Sequence, residues 1–348
     1  MSKVKILYDG RWIKHDHPDG ITRYTRGIVN ALLEKELDVD LVVIEPRQAE
    51  GLNVEQIIEG PSPRKLFRSR DHLARLSQGY TAYISPHYLH LRPKAYTPKF
   101  ILTCHDLIPW HNKSATTSLA WSLFHSTYSG LKYLLGQADA VCTVSEVTRS
   151  ELQSLLPKKP IYVTYNGVDL PVVDPSAKRK RQILYMGRYE PYKNVELMMA
   201  AANKLTDYAI VCAGSLSPDR QEELENILSG SKNVRFVGPI TDIEYVRYLR
   251  SVAVVAQPSF EEGFGLTVIE AMSQGVAVVC SDIPVFHEIA GQAALFFDPH
   301  NVDDFAEKIR HTEDTKTYNG LVEAGRLRAR SFSWERAAQN ILRILGEI

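Results

Sequence analysis

Two carboxylates, Glu262 and Glu270, bracket a turn that contains Gly263 and Gly265. Glycine has no Cβ, so the backbone of such a turn can approach a phosphate closely. A carboxylate repels a phosphate, and the two glutamates are therefore expected to accept hydrogen bonds from sugar hydroxyls beside it. These residue types in this order predict a site for an anion that carries hydroxyl groups.

The elements around this turn would aim N–H groups at the anion. The apolar run Val252–Ala256 predicts a buried strand, and the apolar spacing of Leu266–Gln274 predicts a helix that ends at Gly275. A helix N-terminus presents unbonded N–H groups and the positive end of the helix dipole. The predicted backbone donors are those of Gly263, Phe264, Gly265 and Leu266.

A structural alternative explains one of the two carboxylates. Thr267 and Glu270 have the spacing of a capping box, in which the glutamate only accepts a hydrogen bond from a helix-end N–H. On spacing alone, the two interpretations of Glu270 are equally supported.

Longer motifs resemble those of the retaining glycosyltransferases of family 4. The stretch from Glu262 to Glu270 is similar to the family's paired-glutamate signature. The loop Asp19–Ile21 departs from the family pattern, since it has one glycine where many members have two. Further similar segments, in the right order along nearly the whole chain, are His105–Pro109, Ala138–Glu146, Asn166–Asp169, Tyr185–Asn194 and Phe332–Glu335.

The resemblance implies an α/β protein of the GT-B class, with two Rossmann-like domains whose parallel sheets face a central cleft. Alternating predicted strands and helices agree with parallel sheets. The predicted domains are residues 1–171 on the acceptor side and 172–332 for the nucleotide sugar, with a last helix, 333–348, crossing back to the first domain. Prolines and the cationic run Lys178–Arg181 predict a solvated linker between the domains.

Buried apolar runs predict the strands, and helical spacing predicts the helices. The predicted strands are Val4–Tyr8, Val39–Ile44, Ala82–Ile84, Phe100–Cys104, Ala140–Val144, Ile161–Thr164, Ile183–Met186, Ile210–Cys212, Val234–Val237, Val252–Ala256, Val276–Cys280 and Ala294–Phe297. The predicted helices of the first domain are Ile21–Glu36, Lys65–Gln78, Ser118–Gly136 and Glu146–Leu155.

Arg188 and Lys193 follow the strand Ile183–Met186, at the strand end where open α/β sheets bind ligands. Arginine offers a planar donor fork and lysine a compact charge, which together suit a diphosphate. Cations near a helix start are commonly only solvated. The resemblance implies instead that this pair holds the diphosphate as it leaves.

His105 ends the apolar run Phe100–Cys104 and precedes Asp106. A histidine there could donate to a sugar hydroxyl, or it could be structural and held by Asp106. The resemblance implies that His105 lies under the donor sugar. It also implies that the backbone at Gly20 approaches the diphosphate or the acceptor, where the alternative is an ordinary glycine at a helix start.

Composition restricts the class of partner. A chain of 348 residues suffices for two domains, and 41 basic against 41 acidic residues argue against a nucleic-acid-binding protein. Residues 1–10 lack the apolar stretch of a signal peptide, and no apolar run approaches the roughly 18 residues of a membrane span, which predicts a cytoplasmic protein. The four cysteines lie in apolar segments and are predicted to be reduced and buried.

No metal site is predicted. Asp38 and Asp40 have the spacing of a metal-binding D-x-D motif. They lie at the beginning of a predicted strand, however, whereas ligand sites lie at the carboxyl end of a strand. His15 with His17, and likewise His87 with His90, could bind a metal by spacing, yet no further ligands accompany them. They are predicted to be solvated loop residues.

Cations dominate the segment between Pro61 and Phe100, and leucines and one phenylalanine are interleaved with them. A basic helix with an apolar stripe suits an anionic membrane surface, which would bring a lipid-diphosphate-linked acceptor to the enzyme. The alternative is a solvated helix packed on its own domain. The cations are Arg64, Lys65, Arg68, Arg70, Arg75, Arg92, Lys94 and Lys99.

These features predict a retaining, metal-independent glycosyltransferase without cofactors. It would move a hexose from a nucleotide sugar to a glycan or lipid-linked acceptor in cell-surface polysaccharide synthesis. The segment His105–Pro109 resembles bacterial mannosyl- and rhamnosyltransferases, which makes GDP-mannose the leading donor. Two alternatives stay open, namely a phosphorylase-like enzyme of the same fold and a non-catalytic sugar-nucleotide-binding protein.

Overall fold

The computed structural model describes residues 4–15, 19–76, 79–93, 98–111, 128–170, 179–228 and 230–348. The chain divides into two compact units, residues 1–167 with 333–348, and residues 168–332. Each unit is built on one parallel sheet, so each is of the Rossmann-like type that alternating strands and helices predict.

The sheet of the first unit has seven strands among the described residues. In chain order they are β1 (Lys5–Asp9), β2 (Asp38–Val43), β3 (Gln56–Glu59), β4 (Ala82–Ser85), β5 (Lys99–Cys104), β6 (Ala140–Thr143) and β7 (Ile161–Val163). Their spatial order is β3-β2-β1-β4-β5-β6-β7, and every pair is parallel. The carboxyl ends of all strands therefore share one edge.

Helices connect these strands. Before residue 168, the described helices of the first unit are α1 (Gly20–Leu33), α2 (Leu66–Arg75), α3 (Ile108–His111), α4 (Tyr128–Gly136) and α5 (Glu146–Leu155), with a 3₁₀ turn at Pro46–Ala49. The helix Trp334–Glu347 starts at the N-cap Ser333 and packs against α1. Interior strands such as β4 and β6 are buried throughout, which explains their continuous apolar sequence.

The second unit repeats the pattern, with six strands in the part of it that the structure describes. They are β8 (Lys180–Met186), β9 (Ala209–Ala213), β10 (Val234–Gly238), β11 (Val252–Gln257), β12 (Ala277–Ser281) and β13 (Leu295–Phe297). The parallel order is β10-β9-β8-β11-β12-β13. Since β8 and β11 are neighbours, the strand order reverses between them, and the loops that follow both strands lie at a topological switch point.

The helices of the second unit cover its sheet. They are α6 (Val195–Ala201), α7 (Pro218–Ile227), α8 (Asp242–Ser251), α9 (Leu266–Ser273), α10 (Pro284–Ala290), α11 (Val302–His311) and α12 (Thr315–Ala329), with 3₁₀ turns at Pro191–Lys193 and Ala202–Lys204; α13 (Trp334–Glu347) is the last helix, in the first unit. Buried side chains from β8, β9 and α6 form the centre of this unit's core.

Every predicted strand is confirmed, with small shifts at its ends. Strand β3 was not predicted, because it lies at the sheet edge and most of its side chains are exposed, so it lacks a buried apolar run. The predicted helix Ser118–Gly136 is confirmed over Tyr128–Gly136, while residues 118–127 lie outside the described residues.

The predicted solvated linker is wrong at its carboxyl end. Residues 171–178 lie outside the described residues, but Lys180 and Arg181 belong to β8. The guanidinium of Arg179 donates to the carbonyl oxygens of Leu249, Val252, Gln274 and Gly275 at 2.6–3.1 Å. Arg179 thus joins the carboxyl ends of two helices, because those carbonyls have no partners within the helices themselves.

Candidate active site

The glycine turn enters α9 as predicted. Gly265 is the N-cap of α9 and has φ +96°, a left-handed conformation that favours glycine. A Cβ at Gly265 would lie 2.8 Å from Cε1 of Phe286, so the position also excludes a side chain by space. The first N–H groups of α9 have no partners within the helix, which makes this end suited to an anion.

The capping-box interpretation of Glu270 is wrong. The N-cap is Gly265, whereas a capping box would require Thr267 at that position. Thr267 is instead the second residue of α9, and Glu270 lies a turn inside the helix with only 6% of its surface exposed. Capping of this helix therefore does not explain why the Glu270 carboxylate is buried.

Lys193 and Glu262 form an ion pair. Lys193 Nζ lies 2.6 Å from Glu262 Oε1, and the two side chains are 15% and 11% exposed. Ser259 Oγ donates to the same Oε1 at 2.8 Å. A lysine ammonium has three N–H groups, so one bond to Glu262 leaves donors for an anion. The cation predicted to bind the diphosphate and the carboxylate predicted to bind the sugar are thus in direct contact.

Tyr192 holds both predicted cations. Arg188 Nη2 donates to Tyr192 Oη at 2.6 Å, and the guanidinium lies 5.9 Å from the centre of that ring. Lys193 Nζ lies 5.3 Å from the same ring, within the range of a cation–π contact. Arg188 is exposed, while Tyr192 is buried. Sequence reasoning missed Tyr192, whose only signal is its place between the two cations.

His105 follows β5 at the carboxyl edge of the first unit's sheet. Its Nε2–H donates to the carbonyl oxygen of Pro86 at 2.9 Å, since a carbonyl can only accept. The ring of Tyr24 meets it edge-on at 4.9 Å. Burial lowers the pKa of His105 to about 4, although the Pro86 carbonyl and Asp19 oppose this shift. At neutral pH His105 is therefore uncharged, and Nδ1 is the atom that can accept a hydrogen bond.

The predicted structural partner of His105 is wrong. Asp106 Oδ1 accepts from the backbone N–H of Ile108 at 3.1 Å, and the partner of His105 is Pro86. The sequence offers no signal for this contact, because Pro86 follows a different strand.

Gly20 is the first residue of α1 and is exposed. The N-cap is Asp19, whose carboxylate accepts from Thr22 N at 2.9 Å and pairs with Lys14 Nζ at 2.6 Å. The helix start is thus supported by Asp19, and the role of the Gly20 backbone toward a ligand stays a prediction.

The prediction that the loop histidines are solvated is wrong for His90. His90 is fully buried, and its Nε2 lies 2.8 Å from Asp9 Oδ2. Asp9 also pairs with the buried guanidinium of Arg11 at 2.8 Å. Although burial opposes it, Arg11 and His90 hold the pKa of Asp9 below its usual range. Sequence reasoning missed this network, because His90 lies in a segment far along the chain from Asp9 and Arg11.

The remaining histidines and the D-x-D sequence have local partners. His87 stacks on Trp12 with ring centres 3.9 Å apart, and His15 pairs with Glu50, while His17 lies outside the described residues. Asp40 is buried and accepts from Lys5 and Tyr80. Over the described ranges, no group of three or more His, Cys, Asp or Glu side chains is placed to bind a metal.

The basic segment packs on its own unit. Leu73 is buried, and Leu66 and Leu76 pack against the same core, so the apolar stripe faces inward. Phe67 remains 64% exposed. Arg92 pairs with Asp139 at 2.7 Å; Lys94 lies outside the described residues. Among the described residues, no helix combines the length and apolarity needed to cross a bilayer.

All four cysteines, Cys104, Cys142, Cys212 and Cys280, are free and buried, as predicted. Burial raises the pKa of each thiol, so none is poised as a thiolate nucleophile at neutral pH.

Two family descriptions match consecutive parts of the chain. "Glycosyltransferase Family 4" matches residues 18–171, and "Glycosyl transferases group 1" matches residues 171–328. The chain is 28% identical over 295 residues to the O-antigen chain mannosyltransferase B of Escherichia coli, covering 78% of this chain and 74% of that protein. It is 30% identical over 194 residues to the phosphatidyl-myo-inositol mannosyltransferase of Mycolicibacterium smegmatis, covering 51% and 50%.

Solved structures share the fold. Sucrose-phosphate synthase from Thermosynechococcus elongatus superimposes with a TM-score of 0.81 at 20% identity, covering 99% of both chains. An Anabaena protein solved with UDP-glucose superimposes with a TM-score of 0.76 at 16% identity, covering 99% of this chain and 100% of that one.

Proposed function

Since the chain belongs to the GT-B glycosyltransferases, with a family 4 domain followed by a group 1 domain, we propose that it transfers a hexose with retention of configuration and without a metal ion. The donor is a nucleotide sugar, with GDP-mannose the leading candidate. The acceptor is a glycan or lipid-linked saccharide of cell-surface polysaccharide synthesis. The mannosyltransferase names of the similar proteins support the choice of sugar.

The Lys193–Glu262 pair is the observation that carries this proposal. In this pair an ammonium and a carboxylate lie 2.6 Å apart, in loops that follow adjacent strands. A sugar diphosphate presents the complementary groups, namely an anion joined directly to a ring of hydroxyls. We assign Arg188 and Lys193 to the diphosphate, Glu262 to the sugar hydroxyls and Glu270 to the ribose. His105, through Nδ1, accepts from a donor-sugar hydroxyl.

The reaction needs no protein nucleophile. The bond between the anomeric carbon and the diphosphate oxygen breaks, and its electron pair leaves with the nucleoside diphosphate. The acceptor oxygen bonds to the anomeric carbon from the same face, and its proton passes to the departing phosphate oxygen. Arg188, Lys193 and the N–H groups from Gly263 to Leu266 stabilise the charge on that leaving group.

A screen of sugar nucleotides for release of nucleoside diphosphate tests the activity. With the responding donor, NMR coupling constants at the anomeric proton of the fresh product give its configuration. An α-linked donor is expected to give an α-linked product. A β-linked product would overturn the retaining mechanism, and release of sugar only with inorganic phosphate would favour the phosphorylase alternative.

Chelation tests metal independence. Excess EDTA is expected to leave turnover unchanged, because we assign the charge of the leaving diphosphate to Arg188 and Lys193. Activity that EDTA abolishes and manganese or magnesium restores would contradict the proposal.

Contact with an anionic membrane surface would use Phe67 and the exposed cations Arg64, Lys65 and Arg68. Cosedimentation with anionic vesicles tests it. Phe67→Ser should reduce binding, whereas Tyr133→Ser, which changes another exposed ring of the same unit, should not. Equal binding by both variants and the unchanged protein would exclude this surface.

A further inference from the structure

Asn194 has a backbone conformation that few residues adopt. It follows Lys193 with φ +52° and ψ +38°, in the left-handed region, and it is 6% exposed. Asparagine enters this region more readily than most non-glycine residues. Asn194 stands at the N-cap of α6, yet its side chain makes no capping hydrogen bond. Helix capping therefore does not account for the buried amide.

The amide instead joins three segments of the second unit. Asn194 Nδ2 donates to the carbonyl oxygen of Pro258 at 3.0 Å and to that of Pro299 at 2.8 Å. Pro258 begins the loop that carries Glu262, and Pro299 lies in the loop after β13. Both N–H groups of one buried amide thus hold the turn Pro191–Lys193 against two loops at the carboxyl edge of the sheet.

Two other contacts attach the same turn to the same loop. Phe260 N donates to the Tyr192 carbonyl at 2.8 Å, and Lys193 Nζ meets Glu262 Oε1 at 2.6 Å. The Asn194 amide thus adds the hydrogen bond to Pro258 to the backbone bond and the ion pair that join this turn to the loop.

We infer that Asn194 is a positioning residue that sets the geometry of the Lys193–Glu262 pair, and through that pair the binding of a sugar diphosphate. The consequence for binding rests on the proposed function. The positioning is a property of the folded chain without ligand, so the two can fail separately.

Hydrogen exchange of the unliganded protein tests the positioning. Asn194→Gly removes the amide but adopts the left-handed conformation without strain. Its Phe260 amide should exchange about tenfold faster. Asn233→Ala is the matched control, because Asn233 Nδ2 also donates to backbone carbonyls, those of Ala202, Leu205 and Tyr208, away from the pair. This control should lower the Tm similarly and leave Phe260 protected.

A double-mutant cycle tests the consequence for binding, with GDP and UDP as probes in calorimetric titration. Asn194→Gly should lower the affinity for whichever of the two nucleotides binds, by up to about a hundredfold, because the groups that bind it are misplaced. In a Lys193→Ala background the same substitution should cause no further loss, because the pair it positions is already gone. Asn233→Ala should leave the affinity unchanged in either background.

Each result decides one question. Unchanged exchange at Phe260 in Asn194→Gly overturns the positioning role, whatever the nucleotides do. Faster exchange without nucleotide binding by the unchanged protein leaves the positioning role standing and contradicts the proposed function. An undiminished loss in the Lys193→Ala background would show that Asn194 acts on binding by another route, and it overturns the inferred coupling.

Discussion

Lys193 Nζ and Glu262 Oε1 lie 2.6 Å apart although 69 positions separate them in the sequence. Both side chains are largely sheltered from water, at 15% and 11% exposure. Removing one member of such a pair leaves the other buried without its counter-charge, which costs more than the lost contact. Substitutions at either position are therefore expected to affect folding as well as ligand binding, whereas Arg188 is exposed, and its substitution should affect folding less.

Arg188→Ala should weaken nucleoside diphosphate binding by about 1.5–3 kcal/mol, the value of a hydrogen bond to a charged group. Lys193→Ala should do the same and also lower the free energy of unfolding, because it leaves Glu262 unpaired. Calorimetric titration with GDP and UDP and thermal melting measure both effects. Lys204→Ala removes an exposed cation paired with Asp303 and serves as the control. Unchanged affinity in both site variants would contradict the diphosphate assignment.

Glu270→Gln should lose most donor affinity with little change in Tm. The side chain keeps its shape, but a neutral amide accepts a weaker hydrogen bond from a hydroxyl than a carboxylate does. Glu244→Gln is the control, because Glu244 belongs to a genuine capping box in which its Oε2 accepts from Thr241 N at 2.8 Å. A Glu270→Gln variant that binds donor normally would remove the ribose assignment.

Gly265→Ala should destabilise the protein and weaken donor binding together. An alanine at this position would have to adopt φ +96°, and its Cβ would clash with the ring of Phe286. The start of α9 must therefore shift. Gly291→Ala is the control for backbone strain without crowding, since Gly291 has φ +57° and ψ −124°, which an L-residue rarely adopts, with open space around its Cβ position. Gly291→Ala should cost about 1–3 kcal/mol of stability and no affinity. Equal behaviour of the two variants would show that the helix start is not shaped by Phe286.

We expect the stability of the protein to depend on pH through the protonation of His105. Its pKa in the folded protein is about 4, below the usual value of 6.5, so the unfolded chain binds more protons between these two values. The free energy of unfolding should therefore fall as pH drops through this window, and His105→Gln should show a smaller fall. Denaturant titrations at several pH values measure the difference. An imidazole signal of His105 that titrates near 6.5 in NMR would contradict the assignment.

Much of the fold follows from local patterns. The interior strands are buried on both faces, and burial imposes an apolar run that can be recognised without knowing the neighbours. Strand β3 escaped prediction because an edge strand with exposed side chains carries no such run. The predicted start of α9 at Leu266 is confirmed, and only the capping-box alternative at Thr267 is wrong, since capping spacing alone does not say which residue is the N-cap.

The sequence by itself determined which residue types gather at the sheet edge, because the carboxyl ends of parallel strands share that edge whatever the details of packing. Only the tertiary structure decided their partners. His105 donates to Pro86 rather than to its neighbour Asp106, and Glu262 pairs with Lys193. Such contacts join segments that the chain brings together only when the sheet forms, so no spacing along the sequence encodes them.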